Sequence, residues 1–217
     1  MVMTIRNRVG LIAILTASLS TTALAEPAGA PHTGAASTAA DPADALSSQD
    51  REALAAAQQL AADASQVLDR WIVSQTISED RLFSRFYYPI PKTDPQKFST
   101  NYDTAAERDL VPVEDKQFAR STGFQYAIVT DINGYVPAHN SKFALPLTGN
   151  YAQDFTNNRS KRLLGDLASI AAARSDAPYL IQRTRTDAGE ILYDVSVPVI
   201  VRGKHWGCAR VGYRRSE

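Results

Sequence analysis

The sequence predicts an α+β fold: one domain with a five-stranded antiparallel sheet, flanking helices and a long N-terminal helix. Three observations lead there. An Ala- and Leu-rich run from Ser47 to Gln75 has helical periodicity. After Gly123 the texture changes to runs of β-formers separated by glycine-containing turns. The connections within the last three runs are too short for crossovers, so those strands must be antiparallel neighbours.

The chain has 217 residues. Its start, "MTIRNRVG", carries Arg6 and Arg8, and the short apolar run "LIAILTASLSTTALA" ends in Ala23-Leu24-Ala25. A positive start, a short apolar run and an A-x-A site describe a secretory signal peptide, residues 1–25, cleaved after Ala25. The competing reading is an uncleaved anchor, which the brevity and the Ser/Thr content of the run disfavour. Residues 26–46 are Ala, Pro, Gly, Ser and Thr with few large apolar side chains. Such a segment buries too little surface to offset its ordering entropy and reads as a flexible tether, His32 included. The folded domain is then 47–217.

Ser47 and Asp50 are spaced as a capping box at the start of the long helix. Leu54, Ala57, Ala61, Ala64, Leu68 and Trp71 form its apolar stripe, too alanine-rich for a strong coiled coil. "FYYPIPKTDP" breaks the periodicity with three prolines and reads as an ordered irregular segment. Residues 101–120 are helical with an interruption at Pro112. "FQYAIVTD" is a strand, and Asn133-Gly134 marks a hairpin turn into a second strand that Pro137 ends. Residues 151–175 are helical or looped. "YLIQRTRT" and "EILYDVSVPVIV" flank Asp187-Ala188-Gly189, and "KHWGCARVGYR" follows a turn at Arg202-Gly203.

Composition excludes several function classes. Lys plus Arg and Asp plus Glu are both 23, so no large basic field exists for nucleic acid. A single cysteine, Cys208, cannot form an internal disulfide, and export without one suits a bacterial periplasm. The bland reading of Cys208 is a small apolar residue packed in a strand. G-x-S-x-G, H-E-x-x-H, the P-loop and G-x-G-x-x-G are all absent. Three histidines, one in the tether, make a three-histidine metal site improbable, and no C-x-x-C-H attaches haem. The expectation is therefore no enzyme, no cofactor and no metal.

"PIPKTDPQKFST", "DINGYVPAHNSKFALPLTG", "NNRSKRLL" and "YLIQRTRTDAGEILYDVSVPVIVRGKHWGCARVGYR" occur in this order. Together they resemble the PAS/Cache-like sensory module of bacterial methyl-accepting chemotaxis proteins, over about residues 80–214. That family has similar D-x-N-G-Y-x-P-x-H-N, N-R-x-K-R, D-x-S-V-P-I and H-W-G elements. The resemblance implies a five-stranded antiparallel sheet, helices on one side and a small-molecule pocket between them. In the receptors the module continues into long signalling helices, which this sequence, ending at Glu217, does not contain. A separate membrane partner is therefore expected to carry the signal.

Candidate ligand contacts follow from the residues. His139 and Asn140 lie where the chain leaves the hairpin, a position that can aim side chains into a pocket; the alternative is a pair bonded to nearby backbone. On a helix, Arg159 and Arg162 would share a face, and guanidinium groups grip carboxylates in two-point fashion. The alternative for them is a solvated face or a salt bridge to Asp154 or Asp166. Asp194, with Tyr193 on the opposite strand face, is the third candidate: it either receives a ligand ammonium or anchors an arginine internally. Trp206 and His205 read as packing and as a surface histidine. The leading expectation is an exported, periplasmic domain that binds a small polar or anionic metabolite without reacting. In the competing reading, apolar side chains fill the pocket and the long helix pairs two copies of the chain as a ligand-free module.

Overall fold

The structure, a computed structural model, describes residues 46–185 and 190–215. The expected signal peptide, nearly all of the tether and the Asp187–Gly189 connection lie outside those residues. Among the described residues no helix is long and apolar enough to cross a membrane.

Helix α1 spans Ser48–Val73. Its capping box forms as expected: Ser47 Oγ accepts the Asp50 N–H at 3.1 Å, and the Asp50 carboxylate accepts the Ser47 N–H at 3.0 Å. The whole predicted stripe is buried. Its alanines let α1 lie close against the sheet, while Leu60, Leu68 and Trp71 bury fully and supply about 1.5–3 kcal/mol each. The Pro-rich region contains α2 (Glu79–Leu82) and a two-stranded ribbon of β1 (Tyr88–Pro89) and β2 (Phe98–Ser99). Helices α3 (Asp103–Asp109) and α4 (Val111–Phe118) follow. The break falls at Leu110, and Pro112 opens α4 rather than interrupting a helix, since a first-turn proline forfeits no helical hydrogen bond.

After β3 (Phe124–Asp131) come β4 (Tyr135–Val136), α5 (Tyr151–Asn157), β5 (Arg162–Leu163), α6 (Leu167–Arg174), β6 (Leu180–Arg185), β7 (Ile191–Val201) and β8 (Lys204–Tyr213). The main sheet is antiparallel with order β3-β8-β7-β6. The C-terminal meander stands as predicted, and both Arg202 (φ 51°) and Gly203 (φ 74°) adopt the left-handed turn conformation.

The sheet has four strands, not the expected five. The segment after Asn133-Gly134 turns away from β3, and β4 pairs with β5 instead. Asp131 drives the departure: its Oδ1 accepts the N–H groups of Asn133 at 2.9 Å and Tyr135 at 3.0 Å. Gly134 holds φ at +76°, and a Cβ there would sit 2.6 Å from the Leu164 carbonyl oxygen. The position beside β3 is already taken. Asn140 Oδ1 accepts the Ala127 N–H, and Glu114 Oε1 accepts the Val129 N–H, both at 2.9 Å. Side-chain acceptors thus cover the edge that a fifth strand would need.

Alternation along the strands separates two faces. Ala127, Val129, Val195, Ala209, Val211 and Tyr213 form one core with α1. The other face carries Tyr126, Ile128, Thr130, Asp194, Ser196, Cys208 and Arg210, with Ala172 and Ala173 of α6 packed on Cys208. Cys208 is the buried, apolar thiol expected, and burial pushes its pKa up to about 12. Trp206 is packing, as expected: it is fully buried and donates its ring N–H to the Leu82 carbonyl at 3.1 Å. His205 pairs with Asp176 near the surface at 2.8 Å.

Candidate functional site

On the face opposite α1, the sheet, α6 and the segment around β5 enclose a cavity of about 490 Å³. Tyr126, Ile128 and Arg210 form its floor, and His139, Arg159, Arg162 and Leu164 line its wall. A second cavity of about 420 Å³ is lined by Ile90, Lys97, Ala138, His139, Asn158, Ser160 and Lys161. His139 lines both.

His139 is buried, and its Nδ1 has no hydrogen-bond partner among the described residues. The ring meets Phe143 edge-on at 5.2 Å. Burial first, then the positive charges of Arg159, Arg162 and Lys97, hold its pKa down at about 3, so the imidazole is neutral at physiological pH.

Arg159 and Arg162 both reach the first cavity, but not by sharing a helical face. Helix α5 ends at Asn157, and the two arginines flank a turn at Ser160-Lys161 that leads into β5. Residues three apart on a regular strand point to opposite sides. Lys161 between them has φ 60°, which resets the alternation. The Arg159 guanidinium lies over the Phe143 ring at 4.4 Å, with Nε bonded to the Thr156 carbonyl at 3.0 Å. Arg162 donates from Nη2 to the carbonyls of Asp154 (2.9 Å), Phe155 (2.9 Å) and Asn158 (2.6 Å), closing the end of α5. Its Nε is buried without a partner. Neither arginine pairs with a carboxylate among the described residues. Asp154 spends its carboxylate on the N–H groups of Thr148 and Gly149 and the Thr148 hydroxyl, and Asp166 caps α6 by accepting the Ser169 N–H at 2.9 Å.

Three sequence candidates are placed otherwise. Asn140 is committed to the edge of β3, with its amide nitrogen 3.3 Å from the Asp115 carboxylate. Tyr193 is on the α1 face, its ring tilted 34° against that of Tyr213 at 5.9 Å with Arg215 over it at 3.9 Å, because strand alternation sends it away from the cavity. Asp194 points to the cavity side but is consumed there. Its carboxylate takes Arg210 Nη2 at 2.9 Å and Nε at 3.1 Å, and accepts the Tyr126 hydroxyl. The pair is almost fully shielded, with Asp194 1% and Arg210 4% exposed. Asp194 anchors an arginine internally, one of its two expected roles, but the arginine is Arg210.

Arg210, Tyr126 and Lys97 are the residues that sequence reasoning missed. Regular register counted from the Arg202-Gly203 turn would set Arg210 opposite Val195, on the other face from Asp194; a bulge between Val199 and Ile200 shifts the pairing by one residue and puts Arg210 opposite Ser196, on the face of Asp194. Lys97 gives no sequence signal either. Its amine is buried and donates to Asn158 Oδ1 (2.5 Å), the Ser160 carbonyl (2.6 Å) and the Asn158 carbonyl (3.2 Å). Burial first, then Arg162 and Lys161, lower its pKa to about 8, which still leaves it charged at neutral pH. Among the described residues no three His, Cys, Asp or Glu side chains gather as a metal site. Compared with known proteins, the chain matches no protein-family model and no curated relative.

Proposed function

We propose that this protein is an exported sensory domain of PAS/Cache type that binds a small anionic metabolite without reacting and signals through a separate membrane partner. The observation that carries this reading is the cavity beside the sheet, where two guanidinium groups without carboxylate partners among the described residues stand next to a neutral histidine whose Nδ1 is likewise unpartnered among them. Pockets of about 300–1,000 Å³ with a few convergent polar groups suit small ligands. A filled cavity would have favoured the ligand-free module instead.

The same contacts supply a route for the signal. Arg159 lies over Phe143 and Arg162 holds the end of α5, so an anion drawing either guanidinium inward competes with the contacts that seat residues 141–157. A ligand shifts such an equilibrium by its differential affinity for the two arrangements.

The test is a thermal-shift screen of the purified protein against carboxylates, amino acids and purines. A ligand at about 100 times its Kd adds roughly 2.7 kcal/mol of stability. Arg159→Ala, which breaks one backbone hydrogen bond, is expected to weaken a hit on the order of tenfold or more while the circular dichroism spectrum is retained. No hit in the panel, or undiminished affinity in Arg159→Ala, would remove the arginines from a binding role.

A further inference from the structure

Residues 144–157 stand out from the surface: apart from Asp154, every residue in the run is exposed. Leu145, Leu147, Tyr151 and Phe155 are 48%, 43%, 53% and 42% exposed. Tyr151 and Phe155, four apart on α5, stack at 5.7 Å and make one apolar strip. The main packing partner of α5 is the one-turn helix Ser141–Phe143, which leaves that strip uncovered among the described residues. Large apolar side chains gathered on a projecting element mark a contact surface.

Charge decides what that surface meets. Between Lys142 and Arg159 the only charged residue is Asp154, and its carboxylate is turned inward onto the N–H groups of Thr148 and Gly149. The outward side therefore carries no acid. At its base Lys142 is exposed, without a carboxylate partner among the described residues, its Nζ beside the Phe118 and Phe143 rings. The Asp154 and Phe155 carbonyls near the end of α5 are already bonded by Arg162, which lowers the cost of taking them from water. An uncharged aliphatic and aromatic tip above a cationic base matches the layers of an anionic bilayer surface: apolar groups below the headgroups, rings at the interface, amines at the phosphates. A folded protein partner needs complementary shape, which a projecting tip offers less well than a groove or a flat face. We propose that residues 142–157 dock this protein on anionic lipid, with Leu145, Leu147, Tyr151 and Phe155 at the bilayer interface and Lys142 at the headgroups. The contact is with the surface rather than a span, and it does not depend on the ligand reading above.

A local probe tests the proposal in the full chain. A nitrobenzoxadiazole dye is attached at Tyr151→Cys, or at Gln58→Cys on the exposed side of α1 as a control; the buried Cys208 stays unlabelled. Phosphatidylcholine vesicles containing phosphatidylglycerol are expected to brighten and blue-shift the dye at position 151 and to leave the dye at 58 unchanged. Lys142→Glu, a surface change, should lower the lipid affinity read at position 151 by about tenfold or more with the circular dichroism spectrum retained. No spectral change at 151, an equal change with pure phosphatidylcholine, or undiminished affinity in Lys142→Glu would each overturn the docking on anionic lipid. A change at 151 that follows protein concentration without lipid would overturn it in favour of a second copy of the chain on the same surface.

Discussion

Asp194→Ala is expected to lower folding stability by about 3–5 kcal/mol, because it strands the Arg210 guanidinium in the sheet. The aspartate is the sole carboxylate bonded to Arg210 among the described residues, contacting both Nε and Nη2, and it also accepts the Tyr126 hydroxyl. Ser169 Oγ, at 3.0 Å from Arg210 Nη1, remains as a neutral partner and cannot replace the charge. For a domain of this size the loss corresponds to roughly 10 °C in melting temperature. The double replacement Asp194→Leu with Arg210→Met should recover much of it, since an apolar pair of similar volume avoids desolvating two charges. Urea denaturation of the single and double variants measures both quantities. A single variant within about 1 kcal/mol of the parent would show that the pair is not closed.

Glu114→Gln is expected to raise stability near pH 8 and to flatten its dependence on pH. Glu114 is completely buried on α4, with Oε1 bonded to the Val129 N–H and Oε2 unpartnered among the described residues. Burial raises its pKa from 4.5 to about 8 against the lowering effect of the Val129 hydrogen bond, with Asp115 adding to the rise. Between pH 4.5 and 8 the folded chain therefore holds a proton that the unfolded chain has lost. Stability falls as pH rises through that window, by a total on the order of 5 kcal/mol. His139 contributes the opposite slope: with its pKa lowered from 6.5 to about 3, stability is lost as pH falls through that range. Glutamine keeps the acceptor for Val129 and removes the proton. Denaturation at pH 5, 6, 7 and 8 should show the variant gaining on the parent at each step, and parallel curves would mean that Glu114 is ionised in the fold.

Much of the secondary structure is legible without coordinates. The capping box at Ser47, the stripe from Leu54 to Trp71 and the turn at Arg202-Gly203 each depend on residues within a few positions of one another. Such patterns survive any tertiary context that gives the helix or strand one buried face. The candidate cavity is legible in part. His139, Arg159 and Arg162 reach it, although in place of the helix assumed for the arginines there is a turn at Ser160-Lys161.

The remainder depends on contacts between distant parts of the chain. Whether Tyr135 continues the sheet is set by Glu114 and Asn140, which reach the edge of β3 from other elements. Whether Asp194 meets a ligand is set by Arg210, 16 residues away on the next strand. Amino-acid order alone established the α+β class, the long N-terminal helix and the C-terminal antiparallel meander, because those follow from local periodicity and short turns. Folding in three dimensions chose the four-strand sheet, the strand bulge that sets the face of Arg210 and the partner of each buried charge. The cause is that a charge deep in a protein takes its character from whichever group the packing sets beside it, and periodicity carries no record of that neighbour.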